Sequence, residues 1–179
     1  MRALWQGDKR WGKAKLGEGG STFGKAGCVV TCLAQAMRQM GVDNEATPLT
    51  VQAKAFAAGG EPFRGPNAIT GVVAAANGMV CADRVSEVEG AAAMQLAIGE
   101  ALVDGTALLH VDHDQDRGGT PEADHWVLAV RLDGDDVVYL DPATADEGRL
   151  QLRTLTGPSL WDGVPRVYRV RGVRALRRA

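Results

Sequence analysis

The stretch His125-Trp-Val-Leu-Ala-Val-Arg-Leu-Asp-Gly-Asp-Asp-Val-Val-Tyr-Leu-Asp141 decides how the second half of the chain is read. Two β-prone runs, Trp126 to Leu132 and Asp136 to Leu140, flank Asp133-Gly134, a pair that suits the positive φ values of a tight hairpin turn. An antiparallel pair is predicted. Pairing Leu132 with Asp135 sets position 126 opposite position 141. His125 and Asp141 then come within about one residue step of each other at the same end of the hairpin. A carboxylate beside an imidazole fixes its tautomer and steadies the imidazolium, so the two are a candidate base and its orienting partner.

Outward from this hairpin, Thr106 to Val111, Leu150 to Leu155 and Arg166 to Val170 are further β-branched or alternating runs separated by Gly, Pro and Asp. Before position 106 the pattern is helical. Val29, Cys32, Leu33, Ala36, Met37 and Met40 recur at helical spacing and Gly41 follows as a stop, which predicts a helix from Cys28 to Met40. Thr47-Pro48 reads as an N-cap with proline at the first helical position, opening a helix that ends at Gly59-Gly60. Ala68 to Ala76 and Val88 to Val103 predict two more. At 179 residues with 45% hydrophobic content the chain can bury a core as a single domain. Its parts are an irregular arm over 1–27 anchored by Trp5 and Trp11, a mainly helical part over 28–105 and a mainly strand part over 106–172. Helices first and a mostly antiparallel sheet later predict an α+β domain with a cleft between two facing parts.

Cys28 stands where the loop Gly24-Lys-Ala-Gly27 turns into the predicted central helix. The first N–H groups of a helix have no intrahelical partner, and the helix dipole is positive there. A cysteine in the first turn therefore faces donors that stabilise a thiolate and, later, an oxyanion. With His125 and Asp141 it completes a thiol nucleophile, base and orienting carboxylate. Gln6 is the best side chain for a second oxyanion donor beside the Cys28 backbone N–H. His110 and His113 compete as base, but neither begins a run whose hairpin partner ends in Asp. Cys32 and Cys81 read as core residues.

The blocks Gln6-Gly-Asp8-Lys-Arg-Trp11, Leu16-Gly17, Ser21-Thr22-Phe23-Gly24, Gly27-Cys28-Val-Val-Thr31 and Thr47-Pro48 form an opening pattern, and His125-Trp-Val-Leu-Ala-Val with Tyr139-Leu-Asp141-Pro142-Ala a closing one. Both resemble the C39-like cysteine peptidases of the papain-like superfamily, found in bacteria and their phages. The resemblance spans nearly the whole chain, although residues 60–105 match only in helical pattern. Cys32 departs from it, since serine is more usual one turn after the nucleophile. What the resemblance implies is a papain-like fold, with the nucleophile at a helix N-terminus packed on a C-terminal antiparallel sheet. It also implies Cys28 as nucleophile, His125 as base, Asp141 as third member and Gln6 in the oxyanion hole.

The expected activity is hydrolysis of a peptide or amide bond through a thioester, with no metal or organic cofactor. Peptidoglycan peptides and protein precursors are candidate substrates. An acyltransferase of transglutaminase type uses the same residue types, and a non-catalytic module binding peptides or cell-wall fragments is the alternative of another class. Asp112, Asp114 and Asp116 have the alternate spacing that opens a calcium loop, but Arg117 holds the place that needs glycine and Ala123 the place that needs glutamate. The favoured reading of this loop is an acidic surface at the mouth of the cleft, with a calcium site as the weaker alternative.

Three cysteines in a chain of this length argue against a disulfide framework. A net charge of -2 supplies no basic field for nucleic acid, and the arginines from Arg166 to Arg178 read as a solvated end. No run of about 18 apolar residues predicts a membrane span, and the N-terminus lacks a signal peptide's apolar core. A cytoplasmic or phage-associated setting is expected, with any bacterial or phage assembly partner left unspecified.

Overall fold

The computed structural model describes residues 3–112, 124–161 and 164–179. Helices α1 (Phe23–Ala26), α2 (Cys28–Gln39), α3 (Pro48–Ala57), α4 (Thr70–Ala76) and α5 (Ala91–Asp104) occupy the first part. Four short strands, β1 (Phe63–Arg64), β2 (Asn67–Ala68), β3 (Met79–Cys81) and β4 (Val85–Ser86), lie between them. The second part holds β5 (Thr106–Asp112), β6 (Asp124–Asp133), β7 (Asp136–Leu140), β8 (Glu147–Gln151), β9 (Thr156–Trp161) and β10 (Val164–Arg178). The Thr47 cap forms as the Thr47-Pro48 pair predicts, its hydroxyl accepting from the Thr50 backbone N–H.

The fold itself departs from expectation. A papain-like α+β domain would set its helical part against an open antiparallel sheet across a cleft. Here β5 to β10 instead form a closed six-stranded antiparallel barrel accompanied by a few helices. Closure comes from β10, whose 15 residues pair antiparallel with β9 over Val164–Arg169 and with β5 over Arg169–Leu176. One strand thus covers both free edges that an open sheet would leave. The arginine-rich tail, expected as a solvated end, makes up most of this strand. Its inward residues Tyr168, Val170 and Val173 are buried, and a bulge at Arg171 shifts the alternation between the first two and the third. β9 has no counterpart among the expected strands, and Pro158 sits within it.

Strands β5, β6 and β10 contribute to two cores because successive side chains point to opposite faces. Ala107, Leu109, Val111, Val127, Ala129, Val137, Tyr139, Leu150, Tyr168, Val170 and Val173 form one cluster, which fills the barrel and meets Met94, Ile98 and Ala101 of α5. Leu108, Leu128 and Leu176 belong to a second cluster outside the barrel, packed against Val30, Leu33 and Met37 of α2. β6 is therefore shared by both layers.

The β6–β7 register differs from the expected one, and the difference matters. Asp133 pairs with Asp136, so the turn is Gly134-Asp135, with Gly134 at φ 62°. A bulge at Val130, between Ala129 and Arg131, then slips the register by one residue. Extended past the Leu128–Leu140 pair, the pairing sets Val127 opposite Asp141, and His125 shares the face of Val127. Without the bulge, position 128 would oppose 141 and the two side chains would point to opposite faces. The expected register, with 126 opposite 141, would have parted them in the same way.

Leu109 is fully buried inside the barrel, while Val103 on α5 is 84% exposed. Leu109→Ala is expected to lower the unfolding free energy by about 2–5 kcal/mol, and Val103→Ala to change it by less than about 0.5 kcal/mol. Urea denaturation measures both, and equal effects would contradict the assignment of the barrel interior.

Candidate active site

Cys28 is the first residue of α2, with Gly27 as its N-cap. Only glycine fits at 27, because a Cβ there would run into the Phe23 carbonyl oxygen. The chain can turn from α1 straight into α2 for this reason, which leaves the first N–H groups of α2 at the thiol. Across from it, His125 lies near the start of β6 with its ring buried.

His125 Nε2 meets Asp141 Oδ1 at 2.8 Å, and Cys28 lies close enough to the same ring to act on its charge. Burial by itself would lower the His125 pKa, but the hydrogen bonds and charges of Asp141 and Cys28 outweigh it and raise the value to about 9. Asp141 shows the mirror-image balance. Burial pushes its pKa up, yet His125, Tyr168 and the Ala143 N–H hold it below the ordinary carboxylate value.

That carboxylate is held by three donors. Oδ1 accepts from His125 and from the Ala143 backbone N–H at 2.8 Å, and Oδ2 accepts from the Tyr168 hydroxyl at 2.7 Å. Tyr168 lies on β10 and was missed at the level of sequence. A tyrosine at an inward strand position needs an acceptor for its hydroxyl, and that need was the available signal.

Gln6 is buried and reaches the same region from the arm. Its backbone N–H donates to Pro142 O at 2.8 Å, and its Nε2 donates to Gly24 O at 3.1 Å, four residues before Cys28. The second Nε2 proton remains for another acceptor. Trp5 Nε1 donates to Ala143 O and Trp11 Nε1 to Trp5 O, both at 2.8 Å, so the arm is fastened to the loop that follows Asp141.

The other sequence candidates lie elsewhere. Cys32 is buried one turn along α2, its sulfur 3.5 Å from Trp126 O, and burial pushes its pKa well up. Burial also raises Cys81. His110 stacks on Trp126 with ring centroids 4.8 Å apart, and its Nδ1 lies 2.6 Å from Arg84 Nη2. Asp112 is ion-paired with Arg171 at 2.9 Å, while His113, Asp114 and Asp116 lie outside the described residues. Among the described residues no cluster of three or more His, Cys, Asp or Glu side chains could hold a metal ion. Among them, too, no helix is long and apolar enough to cross a membrane. A surface cavity of about 530 Å³ runs behind Asp141, bounded by Tyr139, Thr144, Asp146 and Ser159.

Comparison with known proteins adds no relative: no protein-family model matches the chain, and no curated protein matches it.

The two shifted groups set a stability window. The raised His125 pKa stabilises the fold fully below its ordinary value of 6.5, and that contribution is lost as pH rises through about 9. The lowered Asp141 pKa stabilises fully above the ordinary 3.8, and its contribution is lost as pH falls through the depressed value. Urea midpoints are therefore expected to be highest between roughly pH 4 and 6.5 and to fall toward alkaline pH. His125→Gln should flatten the alkaline decline, and an unchanged decline would show that His125 is not its source.

Proposed function

We propose that this chain is a thiol hydrolase that cleaves a peptide or amide bond through an acyl-enzyme on Cys28. The observation that carries the reading is a buried imidazole held by a carboxylate with three donors, with a cysteine at a helix N-terminus close enough to act on the ring's charge. The opening and closing sequence blocks, which resemble those of C39-like cysteine peptidases, support the same chemistry. Neither point depends on the scaffold, because the roles are defined by local geometry.

In this reading Cys28 Sγ attacks the substrate carbonyl carbon while His125 carries the proton as imidazolium. The developing oxyanion takes hydrogen bonds from the Cys28 backbone N–H and the second Nε2 proton of Gln6. The tetrahedral intermediate collapses, the C–N bond breaks, and His125 gives its proton to the leaving amine. Water then attacks the thioester with His125 as base, releasing the acid and regenerating the thiolate. Asp141 fixes the orientation of the ring throughout. Substrates that fit this chemistry are peptidoglycan peptides or a protein precursor.

The test is incubation with purified peptidoglycan and with a peptide library, followed by mass spectrometry of new termini. Cys28→Ala is expected to lower turnover by about 10³-fold or more while leaving the circular dichroism spectrum intact. Undiminished turnover would remove the proposal. Adding a primary amine separates hydrolysis from acyl transfer, since only transfer yields the substituted amide. A non-catalytic module would give no new termini, and its Cys28 would react with iodoacetamide at pH 6 no faster than Cys32 or Cys81.

A further inference from the structure

Tyr168 enters no step of the proposed reaction, yet its hydroxyl donates to Asp141 Oδ2 at 2.7 Å. We infer that Tyr168 is a positioning residue, which keeps Asp141 ionised and sets the plane of its carboxylate so that Oδ1 meets His125. This inference rests on the thiol-hydrolase reading for its catalytic consequence, but not for its effect on Asp141.

The argument starts from the inventory of donors. A carboxylate has two oxygens and can rotate about its Cβ–Cγ bond. Two donors on Oδ1, the His125 ring and the Ala143 N–H, bind one oxygen only. The hydroxyl on Oδ2 pins the other, so rotation would break a bond at each end. The phenol is an invariant donor. Burial pushes its pKa far up and the neighbouring Asp141 charge pushes it further, so it stays protonated throughout the working range. A neutral phenol facing a carboxylate must donate, which favours the ionised form of Asp141 over the acid. Asp141 is buried and would otherwise be driven toward protonation. A protonated Asp141 would no longer carry the charge that sustains the His125 imidazolium.

Its place in the fold supports the same conclusion. Tyr168 is fully buried, its ring 6.1 Å from the His125 ring and 5.9 Å from that of Tyr139. It reaches the site from β10 at the point where that strand pairs with Gly157 of β9. Asp141 thus takes its donors from β6, from its own loop and from the closing strand. Tyr139, the chain's other tyrosine, is buried nearby but donates to Pro158 O at 3.2 Å, which makes it an internal control.

The experiment follows the Asp141 side-chain carboxyl by carbon NMR against pH in the wild type, Tyr168→Phe and Tyr139→Phe proteins, with Asp141→Asn to assign the signal. Removing the Tyr168 hydroxyl is expected to raise the Asp141 titration by about one pH unit or more. Tyr139→Phe should leave it in place. On any substrate the protein cleaves, Tyr168→Phe should lower kcat by about 10-fold with little change in KM, because the buried hydroxyl does not reach substrate. An unmoved Asp141 titration in Tyr168→Phe would overturn the inference, whatever the activity. A shifted titration in a protein that cleaves nothing would leave the inference standing while the hydrolase reading falls. If Tyr168→Phe does not fold, replacing both tyrosines by the more acidic 3-fluorotyrosine should lower the Asp141 titration, and no movement there would count equally against it.

Discussion

The double pairing of β10 is the constraint on which the rest of the molecule depends. A single strand joined to β9 along one half and to β5 along the other turns a meander of hairpins into a closed wall. Closure gathers the inward side chains of β5, β6, β7, β8 and β10 into one common core. It also forces the outer face of β6 to serve as the seat for α2. The helix that carries Cys28 is therefore positioned by the barrel even though it takes no part in the sheet. By the same closure Tyr168 is delivered to Asp141 from a strand that is distant in sequence.

Asp141 is the junction of these elements. It follows β7, it bonds to β6 through His125 and to β10 through Tyr168, and the arm is fastened just behind it through Pro142 and Ala143. Burying a carboxylate is expensive unless its oxygens are bonded and a countercharge is at hand. Here both conditions are met by groups from separate parts of the chain. Removing any one donor would leave a buried charge underbonded, so the loop, the barrel end and the arm are mutually dependent. The same junction ties Gln6 to the turn that precedes Cys28, since its backbone grips Pro142 while its amide grips Gly24.

The placement of thiol and imidazole on two different layers has a physical logic. A helix N-terminus supplies unpaired N–H donors, which a strand interior cannot offer because its backbone groups are used in the ladder. A strand supplies a rigid position for an imidazole and, through its hairpin partner, a carboxylate at fixed separation. Combining the two requires the helix terminus to abut the end of the strand, and the packing of Leu33 and Val30 against Leu128 holds them there. Sulfur, imidazole and carboxylate can meet in this way on a barrel as well as on an open sheet, which is why local chemistry and overall architecture have to be judged separately.

Much of the local structure was written in the chain itself. The Cys28 helix, the Thr47 cap, the hairpin between positions 126 and 140 and the nomination of Cys28, His125 and Asp141 rest on short patterns: periodicity, a cap, a turn pair, a helix start; Gln6 entered as the best amide donor and through the family resemblance. What tertiary structure alone decided was which strands pair, in what register and whether the sheet closes. Closure depends on β10 meeting both β5 and β9, a choice between distant partners that no local pattern encodes, and the arginines of that strand disguised it as a solvated end. The bulge at Val130 is equally silent in the sequence, yet it alone turns His125 and Asp141 to the same face. Long-range pairing is settled by the burial of the whole core at once, and single segments carry no record of that competition.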